Sequence, residues 1–216
     1  MPFLQALRLQ ERVRDEVVAG QAPETLLLLE HEPVITLGRH ARPSNVLASP
    51  AQLAKDGIAV VPTSRGGDVT FHGPGQLVGY PVFRLPAGIR AHVAAMATAI
   101  VSVLAELGIP GEWRASQPGI WVGSDKICAV GVHVRRGVAL HGFALNADTD
   151  LTAFRAIVPC GLHAAGVTSI AKLRGSAPAL GELAERVANA CTRAFAMPMK
   201  KIPAHASRLQ VANGES

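Results

Sequence analysis

Cys160 is the residue whose neighbours best suit covalent chemistry. It lies between Pro159 and Gly161, and this pair favours a turn over a helix or a strand. A thiol with its ordinary pKa of about 8.5 is mostly protonated at neutral pH, so a nucleophilic cysteine needs a nearby cation that stabilises the thiolate. From the local sequence alone, a loop cysteine without a chemical role is an equally good interpretation of Cys160. The candidates for the activating side chain are Lys126, His72, His141 and His163.

Lys126 differs from the other candidates because it opens an otherwise apolar strand, residues 127–132. A lysine that points from a sheet into a cleft is desolvated, which lowers its pKa and lets it exchange protons near neutrality. An ordinary lysine at a strand edge is the alternative. Cys128 is predicted to share a strand face with Lys126 and competes with Cys160 for the role of nucleophile, although a core position is also open to it. Cys191 falls on the apolar stripe of a predicted helix and is expected in the core.

Residues 65–77 contain four glycines, with Arg65, Asp68 and His72 as the ionisable side chains. A turn needs one glycine, whereas four indicate a backbone that approaches a ligand so closely that a Cβ atom would obstruct it. We therefore expect this segment to form a wall of a binding site.

Motifs that would indicate other chemistry are missing from the sequence. It contains neither Cys-x-x-Cys nor His-Glu-x-x-His, the spacings typical of metal sites. The glycine-rich segment lacks the Gly-Lys-Ser/Thr of a phosphate-binding loop. Ser64 and Ser169 are not in a Gly-x-Ser-x-Gly setting, which argues against a serine hydrolase. No metal and no cofactor are expected.

The elements that must position these residues follow from the spacing of apolar side chains. We predict a single α/β domain over residues 1–216, with a mixed sheet flanked by helices and a frayed tail after about residue 203. A hairpin turn at 135–137 excludes a purely parallel sheet. The predicted helices are 3–18, 90–107 and 180–195, the predicted strands are 25–30, 34–37, 58–61, 77–83, 119–123, 126–134 and 138–146, and 39–50 is predicted to be a loop.

Composition excludes several classes of protein. The 216 residues are 49% hydrophobic and 17% charged, which indicates a packed core rather than a disordered chain. The net charge of +5 comes from scattered basic residues without interleaved aromatics, which favours an acidic protein partner over nucleic acid. The sequence shows no signal peptide and no apolar run long enough for a membrane span, and its odd number of cysteines makes no disulfide framework. A cytoplasmic protein is expected, with no membrane or nucleic-acid partner.

Several motifs together resemble one family, the octanoyltransferases of lipoate biosynthesis. The resemblance begins with residues 65–77 and the Tyr80-Pro81 pair that follows. It continues in the family's order, and the combination is far more specific than any single motif. The further matching segments are 119–122 before 126–127, then 131, 141–146, 159–162 and 166–169.

The resemblance implies the fold of biotin and lipoate protein ligases. It also implies transfer of an octanoyl group from octanoyl-acyl carrier protein to a lysine of lipoyl domains, including the glycine cleavage H protein. Cys160 matches the family's nucleophile, which carries the acyl group as a thioester, and Lys126 matches the lysine that lowers the cysteine pKa and acts as a base. A monomer without cofactors is expected. The residues that match the acyl-binding stretches are Arg65, Gly66, Gly67, Asp68, Val69, Thr70, Phe71, His72, Ala129, Val130, Gly131, Gly142, Phe143 and Ala144.

Two positions depart from the family pattern, and two other functions stay open. Cys128 stands where a small residue without a thiol is expected, and Phe143 stands where leucine is more usual. Phe143 would reshape the acyl pocket, which leaves the chain-length preference open. An ATP-dependent lipoate or octanoate ligase shares the fold, and turnover without ATP would exclude it. A non-catalytic acyl-binding module would bind the donor and never turn over.

Overall fold

The computed structural model describes residues 1–158, 166–196, 199–201 and 210–214. Cys160 and His163 therefore lie outside the described residues. The helices in this part are α1 (Phe3–Val18), α2 (Pro50–Lys55), α3 (Gly88–Glu106), α4 (Ile170–Arg174) and α5 (Leu180–Phe195), with 3₁₀ turns at Pro43–Asn45 and Leu151–Ala156. The strands are β1 (Thr25–Leu29), β2 (Val34–Leu37), β3 (Ala59–Pro62), β4 (Val69–His72), β5 (Gln76–Val82), β6 (Glu112–Trp113), β7 (Gly119–Val122), β8 (Asp125–Arg135), β9 (Val138–Asn146), β10 (Gly166–Val167), β11 (Met199–Lys201) and β12 (Gln210–Gly214).

Nine of the described strands form one mixed sheet. Eight follow the order β11-β12-β1-β5-β9-β8-β7-β6, and each neighbouring pair is antiparallel. The short strand β10 pairs in parallel with β8. The prediction of a mixed sheet with a β8–β9 hairpin is thus confirmed.

Within the tail that was predicted to fray, the described residues 210–214 form β12 and pair with β1. The physical reason is that β1 pairs with β5 on one side only, so its other side offers unpaired N–H and C=O groups to a further strand.

Helix α1 covers one face of the sheet. Phe3, Val13 and Val17 lie on its buried side, as the sequence predicted, and Ala6 is buried in place of the predicted Leu7. Ala6, Val13 and Val17 pack with Leu27 of β1 and Val82 of β5 in one apolar cluster. This face of the sheet, which we call the α1 face, carries the cavity described below.

Helices α3 and α5 cover the opposite face and enclose the larger core. Cys191 is buried on α5, and this burial raises the pKa of its thiol to about 12, which confirms it as a core residue. Among the described helices, α3 is long and apolar enough to cross a membrane by length and composition. Its side chains Met96, Ile100 and Leu104 are instead fully buried in the core shared with α5.

A second, three-stranded sheet holds the glycine-rich segment in place. Its order is β3-β2-β4, with β2 and β3 parallel and β2 and β4 antiparallel. The sequence did not predict β4, because the flanking glycines dominate the local pattern. It also missed α2 and α4, which are short but begin at capping serines, Ser49 and Ser169.

Candidate active site

A cavity of about 360 Å³ lies on the α1 face of the sheet, over β5, β9 and β8. Small residues create the space. Ala129 pairs with Ala144, and Gly131 pairs with Gly142, so two neighbouring rows of the β8–β9 ladder carry almost no side-chain volume. The rows are two residues apart along each strand, roughly 7 Å. The cavity therefore extends along the strands and has mostly hydrocarbon and backbone at its floor.

A β-bulge turns Lys126 into this cavity. On β7, Ile120 pairs with Cys128 and the next residue, Trp121, pairs with Lys126, so Ile127 is an extra residue on β8. A bulge shifts the alternation of side chains by one residue. Lys126 thus lines the cavity together with Ala129, whereas Ile127 and Cys128 belong to the core on the other face.

The bulge overturns the expectation that Cys128 and Lys126 share a strand face. Cys128 is fully buried, and its Sγ lies 3.6 Å from the carbonyl oxygen of Ala129. Burial raises the pKa of the Cys128 thiol to about 12. A thiol in this position stays protonated at neutral pH, which confirms the core assignment and removes Cys128 as a competing nucleophile.

Lys126 is held at one end of the cavity by backbone and aromatic contacts. Its side chain is buried, and Nζ donates a hydrogen bond of 3.2 Å to the carbonyl oxygen of Pro118. The same Nζ lies 4.9 Å from the centre of the Trp121 ring, an attractive position for an ammonium group. Gly119 leaves room for the lysine stem, because a Cβ atom there would lie 3.0 Å from Lys126 Cε.

The chain on both sides of the predicted nucleophile is anchored by backbone hydrogen bonds. On the N-terminal side, the Val158 N–H donates to the carbonyl oxygen of Asn45 at 2.8 Å. On the C-terminal side, Val167 pairs with Lys126, and the Thr168 N–H donates to the Lys126 carbonyl oxygen at 3.0 Å. The segment that contains Cys160 thus rejoins the sheet directly beside Lys126.

The end of the cavity away from Lys126 contains Arg65 and His72. Arg65 Nη2 donates to the carbonyl oxygen of Thr36 at 2.6 Å and to its hydroxyl at 2.9 Å. His72 Nδ1 lies 2.7 Å from Gln76 Oε1. Burial lowers the pKa of His72 to about 3, so its ring is neutral at physiological pH.

His141 is also neutral and fixed by its neighbours. Its backbone N–H donates to Gln10 Oε1 at 2.8 Å, and its Nε2 lies 3.2 Å from the Ser64 hydroxyl. Burial lowers its pKa to about 3. Neither His72 nor His141 can therefore supply a positive charge near neutrality, and Lys126 remains as the activating candidate among those that the structure describes.

The predicted binding residues lie around the cavity with two exceptions, Val69 and Phe71. These two alternate with Thr70 and His72 along β4, so they face away from the cavity and pack with Ile35 in the core of the three-stranded sheet. Asp68 lines the cavity and also accepts a hydrogen bond from the Arg42 N–H at 3.2 Å. Several further lining residues, which were not among the predicted binding residues, come from distant elements: Phe3, Val78, Tyr80, Val93, Trp113, Ser116, Gln117 and Pro118.

Comparisons of the amino-acid sequence with known proteins identify one family. Residues 2–192 match the family model described as the lipoyl protein ligase A/B catalytic domain. An octanoyltransferase of Chloroflexus aurantiacus is 48% identical over 201 residues, which cover 90% of each chain. An octanoyltransferase of Solibacter usitatus is 46% identical over 200 residues, which cover 91% of this chain and 90% of the relative.

Structure comparisons show the same fold. A lipoate-protein ligase A bound with ATP superposes with a TM-score of 0.69 at 18% identity, over 87% of this chain and 80% of the other. A bi-partite lipoate protein ligase of Thermoplasma acidophilum gives a TM-score of 0.65 at 18% identity, over 87% and 78%. At this identity the two ligases show the fold alone. The family match and the octanoyltransferase relatives together establish that the chain belongs to the lipoyl protein ligase A/B catalytic domain family.

Proposed function

We propose that this protein is an octanoyltransferase, which moves an octanoyl group from octanoyl-acyl carrier protein to a lysine of a lipoyl domain. One observation carries the proposal: a buried lysine stands at the end of an apolar cavity that two rows of small residues hollow out. The names of the relatives support the same activity. Lipoyl domains, including that of the glycine cleavage H protein, are the acceptors in this proposal.

The cavity suits an acyl chain that enters beside Lys126. The rows of Ala129 with Ala144 and of Gly131 with Gly142 allow an extended hydrocarbon to lie against the backbone. The far end offers neutral histidines and an arginine already held by Thr36.

The first step is a thioester exchange. The Cys160 thiolate attacks the carbonyl carbon of the octanoyl thioester, a new S–C bond forms, and the C–S bond of the donor breaks. The carrier leaves as a thiol after taking up the proton of the Lys126 ammonium, which leaves Lys126 neutral. The Lys126 ammonium stabilises the Cys160 thiolate before the attack. One thioester replaces another, so the step needs no ATP.

The second step forms the amide. The acceptor lysine loses one proton to solvent before its amine attacks the octanoyl-Cys160 thioester, and neutral Lys126 accepts the second proton, which the attacking nitrogen loses as the amide forms. The new C–N bond forms as the C–S bond to Cys160 breaks, and the Cys160 thiolate is regenerated beside the Lys126 ammonium.

The working unit in this proposal is a cytoplasmic monomer. A reducing compartment keeps a catalytic thiol available, and Cys128 and Cys191 are free thiols as well.

Intact mass measurement tests the proposal directly. The full chain is incubated with octanoyl-acyl carrier protein in the absence of ATP and quenched in acid. We expect one octanoyl adduct on the wild-type protein and on Cys128→Ala, and none on Cys160→Ala. An adduct that persists in Cys160→Ala, or turnover that requires ATP, would overturn the proposal.

A further inference from the structure

A continuous chain of buried hydrogen bonds runs from the far end of the cavity to Lys126. It begins where Arg65 Nε donates to the Thr36 hydroxyl at 3.1 Å. That hydroxyl lies 3.4 Å from His72 Nε2, and His72 Nδ1 lies 2.7 Å from Gln76 Oε1. Thr36, His72 and Gln76 are all buried. The glycine-rich wall and β5 are thereby joined through side chains.

The chain continues from β5 to β8 through two side-chain amides. Gln76 Nε2 donates to Asn146 Oδ1 at 2.9 Å, and Asn146 Nδ2 donates to the Thr168 carbonyl oxygen at 2.9 Å. The Thr168 N–H then donates to the Lys126 carbonyl oxygen at 3.0 Å. Gln76 is 2% exposed, Asn146 4% and Thr168 0%, so water does not compete for these bonds.

Every group in this chain donates in the same direction. A guanidinium only donates, so the Thr36 hydroxyl accepts from Arg65 and its own O–H points to His72 Nε2. The neutral His72 ring then carries its one proton on Nδ1 and donates to Gln76, whose NH₂ group donates to Asn146. A shared direction fixes the tautomer and both amide orientations, and such bonds strengthen one another in a buried setting.

The anchor at Thr168 matters because β10 is weak by itself. β10 contains only Gly166 and Val167, paired with Asp125 and Lys126 at one side of β8. A two-residue ladder gives few hydrogen bonds to resist sliding or opening. The bond from Asn146 to Thr168 adds a side-chain contact from a central strand, just after the segment that contains Cys160.

We propose that Gln76 and Asn146 are positioning residues, which hold the Thr168 backbone against Lys126 and so set the approach of the Cys160 segment to that lysine. The inference rests on the proposed acyl transfer and extends it to two buried amides outside the cavity. Neither amide touches the acyl chain in this arrangement, so their effect is on the rate of acylation rather than on donor binding.

Isosteric substitutions test the inference in the full-length protein. Asn146→Asp replaces the NH₂ group that donates to the Thr168 carbonyl oxygen with an oxygen that accepts. Gln76→Glu likewise replaces the NH₂ group that donates to Asn146, and it keeps the oxygen that accepts from His72. Since a misplacement of about 1 Å can cost 10²-fold in rate, we expect octanoyl-enzyme formation to slow by up to about 10²-fold in each variant, with KM for octanoyl-acyl carrier protein near the wild-type value. The matched control is Asn189→Asp, the same change at an exposed position of α5.

Hydrogen exchange at the Thr168 amide gives a readout that does not depend on activity. We expect faster exchange in Asn146→Asp and Gln76→Glu than in the wild type, with cooperative thermal unfolding retained. If the wild type forms no adduct, the proposed function fails. The exchange rate of the Thr168 amide then still tests whether Gln76 and Asn146 hold that backbone in place. Wild-type acylation rates in both folded variants, or unchanged protection of the Thr168 amide, would overturn the inference. Should Asn146→Asp not fold, Gln76→Glu decides.

Discussion

At the scale of single residues, Lys126 combines two properties that rarely occur together. Its side chain is buried, yet carbonyl and ring contacts provide partial compensation for the loss of water. The two proposed steps require different protonation states of the Lys126 amine. Stabilising a thiolate requires only a positive charge, whereas accepting a proton from the acceptor lysine requires an amine that can be neutral.

Two substitutions of Lys126 separate these requirements. Lys126→Arg keeps the charge but cannot act as a base, because a guanidinium does not deprotonate in proteins. We expect it to form octanoyl-enzyme and to pass the group on slowly. Lys126→Met keeps an unbranched stem and loses both roles, so both steps fall by about 10²-fold or more. Quenched-flow mass spectrometry of each step measures the difference, and equal losses in both steps of Lys126→Arg would contradict the division.

At the scale of elements, the bulge in β8 determines which residues share the cavity face. The alternation of side chains along a regular strand predicts Lys126 beside Cys128, and this expectation was wrong because Ile127 is an extra residue on β8. Helices such as α1 and α5 could be predicted from apolar spacing, since their stripes repeat over several turns. A bulge produces no such repeat, because one extra apolar residue such as Ile127 looks like any other residue of an apolar strand. β4 was missed for a related reason, since glycines at both ends conceal a four-residue strand.

The two small-residue rows allow a prediction about acyl-chain length. Ala129→Leu fills the cavity close to Lys126, whereas Gly131→Ala adds one methyl group a row further in, roughly 7 Å away along the strand. We expect Ala129→Leu to lower kcat/KM for both hexanoyl and octanoyl donors. Gly131→Ala should lower kcat/KM for octanoyl donors more than for hexanoyl donors.

Rates with donors of different chain length check this order. Thermal unfolding serves as the control, because a Cβ atom on Gly131 would come within 3.0 Å of the Gly66 carbonyl oxygen and requires a small shift. The same chain-length profile in both variants would contradict the proposed direction of the acyl chain.

At the scale of the whole molecule, several histidines are buried in neutral form. Burial lowers the pKa of His31 and of His92 to about 4, and that of His72 and of His141 to about 3. His72 and His141 line the cavity, and His31 lies against the rings of His72 and Tyr80. His92 of α3 packs against Phe83 and against Phe195 of α5. The burial of these histidines could not be predicted from the sequence, because it depends on contacts between distant elements.

This burial makes the fold sensitive to acid. The pKa values in the folded state lie below the unfolded value of about 6.5, so the unfolded chain takes up protons first. The stabilisation is complete above about pH 6.5 and is lost as the pH falls toward the folded values. We expect each of these histidines to lower the free energy of unfolding by about 2 kcal/mol between pH 7 and pH 5.

Urea unfolding of His92→Phe at pH 7 and pH 5 measures one such contribution. The variant should lose less stability over this interval than the wild type, because a ring that cannot be protonated replaces the imidazole. The exposed His40→Ala serves as the control. An unchanged pH dependence in His92→Phe would show that His92 does not contribute to acid unfolding.

The bulge at Ile127 also constrains how such a gene can vary. Single substitutions at Ala129, Gly131 or Ala144 change the size of the cavity, whereas a Cβ atom on Gly142 would meet the Gly79 carbonyl oxygen of β5. Ile127 and Cys128 both face the core, so loss of either codon would restore regular alternation with Lys126 still on the cavity face. Such a one-codon deletion removes one buried core side chain and keeps the lysine beside the cavity, so core packing and the direction of Lys126 can vary separately.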